Sequence, residues 1–274
     1  MNEMTRRVTS ADGTRIAYDR KGTGPAVILV GGTLDDGAEN APLARLLADH
    51  FTVYNYARRG RGASGNTPPY SLERELEDLD ALIATAGGSA HVYGASSGGA
   101  LVLEAAAAGS AIDKIATWDA PYAIGDDLRP RFTQYLADTR AAHERGRDEE
   151  MLELFVRLTG GPDVDIAAGK QHPFWAMSVA LAHTLVKDAV VVNDYEIPTD
   201  RLARITQSVL VITEGPITEP QMAALPADFF DRAATAITAA TPRTERATLD
   251  GQGHVVDPEV MARVLTTFFE RPVD

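Results

Sequence analysis

The 274-residue chain has no cysteine. That excludes disulfide scaffolding, cysteine-based zinc sites and thiol catalysis, while leaving either redox compartment open. No apolar run approaches the length of a membrane span. Residues 1–14 are polar and lack the apolar core of a signal peptide, so a cytoplasmic location is the expectation. Internal repeats and low-complexity linkers are absent. Positive charge is scarce: 26 Lys and Arg face 39 Asp and Glu, for a formal net charge of −13. Such a chain repels nucleic acid and anionic membranes, which leaves a small molecule as the expected partner. The basic stretch Arg58-Arg59-Gly60-Arg61-Gly62-Ala63-Ser64-Gly65 lacks the strand–loop–helix spacing and the Gly-Lys-Ser/Thr of a phosphate cradle. Nothing in the sequence implies a metal or cofactor, and nothing fixes the oligomeric state.

What is present is an ordinary globular composition, 45% hydrophobic and 24% charged. Asp12-Gly13 separates two extended runs, residues 5–9 and 15–20, and predicts an antiparallel hairpin. Ala26 to Val30 is a continuous apolar run, suited to a strand buried on both faces. Strand and helix patterns then alternate through residue 121, which argues for a parallel sheet with helices on both faces. The alternation breaks at Tyr122. From there to about residue 200 the pattern is helical, over 131–145, 149–158 and 174–186, with one weak strand candidate at 189–192. An all-helical insertion in such an alternation reads as a lid. The alternation resumes with strands at 208–213 and 243–249 and a closing helix from Pro258, whose N-cap is Asp257. The expected division is a core of residues 1–121 and 198–274 and a lid of residues 122–197.

One stretch organises the chemistry. Gly94-Ala95-Ser96-Ser97-Gly98 lies between a short strand and an alanine-rich helix. G-x-S-x-G in that setting reads as a nucleophile elbow, a sharp turn that lifts the serine hydroxyl clear of strand and helix. A serine hydroxyl needs an imidazole as base and an acid to orient it. Of six histidines, His254 stands out. It follows Gly251-Gln252-Gly253 just past the last strand, and carboxyl ends of parallel strands are where such folds hold their sites.

Together these pieces resemble the α/β-hydrolase fold. The matching segments, in the family's order, are Asp12-Gly13, Gly31-Gly32, Arg59-Gly60-Arg61-Gly62-Ala63-Ser64, the elbow, and Gly251-Gln252-Gly253-His254. The resemblance implies a mostly parallel eight-stranded sheet flanked by helices, with the lid inserted after the sixth strand. It implies Ser96 as nucleophile, His254 as base, and an oxyanion hole from the backbone N–H groups of Ser97 and Thr33, with Leu34 as the fallback donor. Many relatives carry the acid after the seventh strand, where this chain has Thr213-Glu214-Gly215-Pro216, and proline cannot orient an imidazole. Three alternatives stay open: Asp119 at the end of the sixth strand, Glu214, or a dyad without an acid. Leu34, Tyr122, Phe132 and Trp175 are expected to line the substrate pocket. The function implied is a cofactor-independent serine hydrolase of an ester or lactone of a small to medium apolar molecule. The alternative is a non-catalytic ligand-binding protein, a receptor or biosynthetic accessory, on the same fold.

Overall fold

Val27 and Leu29 pack on one face of a central sheet and Ile28 and Val30 on the other, the two-residue period of extended chain. In the computed structural model residues 6–161 and 165–272 are described. Thr5, expected in the first strand, lies outside them. The strands are β1 (Arg6–Thr9), β2 (Arg15–Lys21), β3 (Ala26–Val30), β4 (Thr52–Tyr56), β5 (Ala90–Ala95), β6 (Ile112–Trp118), β7 (Ser208–Glu214) and β8 (Thr244–Leu249). They form a sheet in the order β1-β2-β4-β3-β5-β6-β7-β8. The β1–β2 and β2–β4 pairs are antiparallel, as the Asp12-Gly13 turn requires for the first, and the remaining pairs are parallel.

Helices cover both faces. On one lie α1 (Ala41–Leu47) and, from the chain's end, the helix Pro258–Phe269; Leu43, Leu47, Met261, Leu265 and Phe268 pack there on Val27, Leu29 and Trp118. On the other lie α2 (Leu72–Ala86) and α3 (Ser97–Ala108). Nearly all of α3 is buried, as befits a helix apolar all round. Between β6 and β7 run α4 (Arg129–Glu144), α5 (Asp148–Gly160), α6 (Ile166–Lys170), α7 (Trp175–Ala182), α8 (Leu185–Val191) and α9 (Thr199–Leu202). Ala142, Met151, Leu152, Ala182 and Leu185 form a small apolar cluster of their own there. The chain closes through α10 (Phe229–Ala240) and α11 (Pro258–Phe269). Asp257 caps α11, accepting from the N–H groups of Glu259 (2.7 Å) and Val260 (3.4 Å).

Two local expectations are corrected. The helix expected over 174–186 is two helices, broken at His183-Thr184. The weak strand candidate at 189–192 falls largely in α8. Its valines favour strand locally, but the segment packs on α3 and α4, and tertiary contacts override propensity.

The sheet order places the site. After β4 the chain returns to the far side of β3, so β3 and β5 are neighbours whose following segments leave in opposite directions. The crevice at such a switch point is where open α/β sheets hold ligands. Here it receives the loop after β3, with Thr33 and Leu34, and the elbow after β5, with Ser96.

Candidate active site

The elbow is as sharp as the sequence implies. Ser96 has φ 53° and ψ −123°, a conformation that costs a non-glycine residue roughly 1–3 kcal/mol. The backbone around it leaves no room for side chains. A Cβ on Gly94 would come within 2.3 Å of the Gly98 carbonyl oxygen, and one on Gly98 within 2.5 Å of that of Val30. Those two positions therefore require glycine. The Ser96 N–H donates to the Trp118 carbonyl at 2.7 Å, tying the turn to the end of β6.

His254 is held on four sides. Its Nδ1 lies 3.2 Å from Asp119 Oδ2. Its backbone N–H donates to Glu219 Oε1 at 2.7 Å, and its carbonyl accepts from Trp118 Nε1 at 2.8 Å. The Phe230 ring stacks on the imidazole with centroids 5.0 Å apart. A carboxylate at Nδ1 fixes the proton there and leaves Nε2 as the free base. Burial works to lower the imidazole pKa, but the bond and charge of Asp119 outweigh it, and the pKa is raised. Asp119 is buried at the end of β6, with φ 47°. Its Oδ1 accepts from the Glu214 N–H at 3.1 Å. Burial raises its carboxyl pKa, against the pull of His254. Among the described residues no hydrogen bond joins Ser96 Oγ to His254. Such pairs are often long in unliganded sites and tighten around substrate.

Glu214, the alternative acid, does not reach the imidazole nitrogen that Asp119 occupies. Its pKa is pushed up to about 8 by burial first and then by the negative charges of Asp119 and Glu219. A carboxyl raised in this way holds its proton near neutrality, and Asp119 is the carboxyl within hydrogen-bond distance of His254 Nδ1. Asp119, Glu214 and His254 could offer three metal-ligand atoms within 4.8 Å of one another. Within this set Asp119 Oδ2 already engages His254 Nδ1.

Glu214 binds its proton more tightly in the folded protein than an ordinary glutamate does. The folded state holds this proton more tightly than the unfolded state, so stability is lost as pH rises from the ordinary glutamate value toward 8. Glu214→Gln keeps the shape and donates to Glu219 without titrating. We expect its Tm to match the wild type at pH 5 and exceed it by roughly 5 °C at pH 9. An equal Tm difference at both pH values in differential scanning calorimetry would remove this account of Glu214.

The other wall of the site is polar and buried. The Thr33 hydroxyl donates to Ser97 Oγ at 3.2 Å, and Ser97 Oγ donates to Asp188 Oδ1 at 3.0 Å. Arg58 donates to Ser97 Oγ (3.1 Å), Asp188 Oδ1 (2.8 Å) and both oxygens of Glu75. Arg61 donates to Asp188 Oδ1 (2.6 Å) and to the carbonyl of Gly32. Arg59 pairs with Asp78 and Asp12. The glycine-rich basic loop therefore spends its guanidiniums on internal carboxylates, Glu75 and Asp78 of α2 among them, and cradles no phosphate. The sequence signalled the arginines without their purpose and gave no sign of Asp188, Glu219 or Phe230.

Two cavities meet at Ser96 and His254. One, of about 640 Å³, is bordered by Leu34, Trp175, Leu152, Phe155 and Phe174. The other, of about 50 Å³, lies among Phe132, Tyr195, Phe229, Phe230, Leu158 and Pro121. Thr33 lines both. Of the expected pocket residues Leu34, Phe132 and Trp175 are brought to a cavity. Tyr122 is not: it is fully buried in the main core and borders neither space. The chain turns inward directly after Pro121, so the aromatic at 122 packs beneath the site.

Fold and elbow together define the class. Residues 11–265 match the model of the alpha/beta hydrolase family, and the chain belongs to that family. It is 42% identical to an alpha/beta hydrolase from Sphaerobacter thermophilus DSM 20745, covering 96% of this chain and all of that one, with a TM-score of 0.84. An esterase from Thermogutta terrifontis shares the fold at 19% identity, with 96% and 97% of the chains covered and a TM-score of 0.71. An uncharacterized hydrolase of Bacillus subtilis (strain 168) is 33% identical over 96 residues, 34% of this chain. The matched stretch spans 35% of that relative's length. Among the described residues no helix is long and apolar enough to cross a membrane.

Proposed function

We propose that the protein is a serine hydrolase of neutral esters or lactones, with Ser96 as nucleophile, His254 as base and Asp119 as the orienting acid. The observation that carries this reading is the 3.2 Å contact between His254 Nδ1 and Asp119 Oδ2, on the wall of cavities that also contain Ser96. Ser96 Oγ attacks the carbonyl carbon and its proton passes to His254 Nε2. The oxyanion is held by the backbone N–H groups of Ser97 and Thr33. Collapse expels the alcohol, which takes the proton from His254. Water then enters by the same route in reverse and frees the acid. No cofactor enters these steps. Residues 122–197 act as a lid over the core formed by residues 1–121 and 198–274. The binding-protein alternative drew on Pro216 in place of an acid, and Asp119 beside His254 speaks against it.

The cavities narrow the substrate. About 50 Å³ admits only about three or four non-hydrogen atoms, so one side of the scissile group is short. The large cavity takes the other side. Glu39 borders it and, among the described residues, no lysine or arginine does, which favours neutral over anionic substrates. The experiment has two parts. A fluorophosphonate should label the wild-type protein on Ser96, read by peptide mass spectrometry. Then 1-naphthyl acetate and ethyl 1-naphthoate, each short on one side, are compared with 1-naphthyl octanoate, long on both. At least one of the short pair should exceed the octanoate by about tenfold in kcat/KM. Equal rates on all three would sink the size argument, and an unlabelled Ser96 would sink the serine mechanism.

A further inference from the structure

Asp188 is unusual in its placement. It belongs to α8, in the helical segment between β6 and β7, yet it is 1% exposed and its carboxylate meets the start of α3 at Ser97. One oxygen, Oδ1, accepts from Arg58 at 2.8 Å, Arg61 at 2.6 Å and Ser97 Oγ at 3.0 Å. Each of those donors leads to the oxyanion hole proposed above. Ser97 is one of the two residues whose backbone N–H would bind the oxyanion. Its Oγ also accepts from Thr33, which supplies the second N–H. Arg61 reaches on to the Gly32 carbonyl, the residue before Thr33. The loop after β3 and the start of α3 are thus joined at the side-chain level through one carboxylate.

We propose that Asp188 is a positioning residue for the oxyanion hole, fixing the spacing of the Ser97 and Thr33 N–H groups from the helical segment above them. The proposal rests on the serine-hydrolase reading. Its physical basis is that oxyanion stabilisation depends on donors preset at hydrogen-bond distance from the developing charge, before the charge exists. Thr33 stands on a loop, where preset geometry is hardest to keep. Ser97, at the first turn of α3, is rigid by comparison. The buried charge cluster makes the loop follow the helix. Burial works against the Asp188 charge, and Arg61 and Arg58 more than offset that, keeping it ionised. The same contacts give α8 a direct bearing on the catalytic geometry.

The test uses the full-length protein, first shown to be labelled at Ser96. Asp188→Asn removes the charge with little change of shape. Ser97→Ala removes only the hydroxyl that links the two donors and leaves the backbone N–H in place. Asp78→Asn is the control, because Asp78 is an equally buried partner of Arg59 with no link to the hole. On 1-naphthyl acetate, Asp188→Asn and Ser97→Ala should lower kcat by about tenfold to a hundredfold. Their KM should change by less than about threefold, and affinity for a trifluoromethyl ketone, whose hydrate oxyanion mimics the tetrahedral intermediate, should fall in step with kcat. Asp78→Asn should lower Tm while leaving kcat within about threefold of the wild type. Unchanged kcat in Ser97→Ala, or losses in KM alone, would overturn the proposal. So would an Asp78→Asn loss of kcat equal to that of Asp188→Asn, since the effect would then be general destabilisation. Should Asp188→Asn fail to fold, Ser97→Ala decides. Absence of label on wild-type Ser96 would defeat the serine reading itself. A labelled wild type with unaffected variants would defeat the Asp188 assignment alone.

Discussion

Ser96→Ala should lower kcat/KM on an activated ester by about a hundred-thousandfold or more and abolish phosphonate labelling. The reason is chemical: alanine offers no oxygen to form the acyl-enzyme, and what remains is the oxyanion hole acting on water. The substitution isolates this effect well. Among the described residues Ser96 Oγ makes no hydrogen bond within the protein, so its loss orphans nothing. The backbone at φ 53° is as adverse for alanine as for serine. Tm should therefore stay within roughly 2 °C of the wild type, and affinity for a substrate-like inhibitor should persist. Retention of more than a few per cent of activity would move the nucleophile elsewhere. Ser97, next in the chain, is a poor candidate because its hydroxyl is engaged by Arg58, Asp188 and Thr33.

Asp119→Asn should be nearly as severe, costing about a thousandfold to ten-thousandfold in kcat. Asparagine can present its amide N–H to His254 Nδ1, which favours the tautomer with its proton on Nε2, the nitrogen that must accept from Ser96. The loss has a pH signature. His254 must be neutral to act, so activity falls as pH drops through its pKa. In the wild type the bond and charge of Asp119 raise that pKa against burial, placing the acid limb of kcat/KM above the ordinary histidine value. Without that charge burial dominates, and the limb should move to lower pH even as the plateau drops. Glu214→Gln on the same assay should stay within about tenfold, since Glu214 is already protonated near neutrality. If Glu214→Gln proves the more damaging of the two, the acid lies after β7 and the assignment to Asp119 is wrong.

The ambiguity over the acid shows where sequence reading loses its grip. The departure at Pro216 was visible, and so were both carboxylates, at the ends of strands that pair side by side as β6 and β7. Which of them meets His254 depends on a few ångströms at the end of the sheet. Asp119, at φ 47°, bonds both the imidazole and the Glu214 N–H. That arrangement leaves Glu214 beside Glu219, where a proton is retained.

The chain by itself determined its alternation of strand and helix, the hairpin at Asp12-Gly13, the strained serine between two obligatory glycines, and the candidacy of His254. Each is a local matter. Side-chain period, turn chemistry and glycine spacing act over a few residues and leave their mark in a few residues. Tertiary structure alone decided the partners. His254 meets Asp119 across 135 positions, and Asp188 meets Arg58 across 130 and Ser97 across 91. A charged side chain carries no record of its counterion. The pairing follows from which strand ends become neighbours and which helix is laid over them, and burial then makes that pairing obligatory, because an ion inside the protein must be paired.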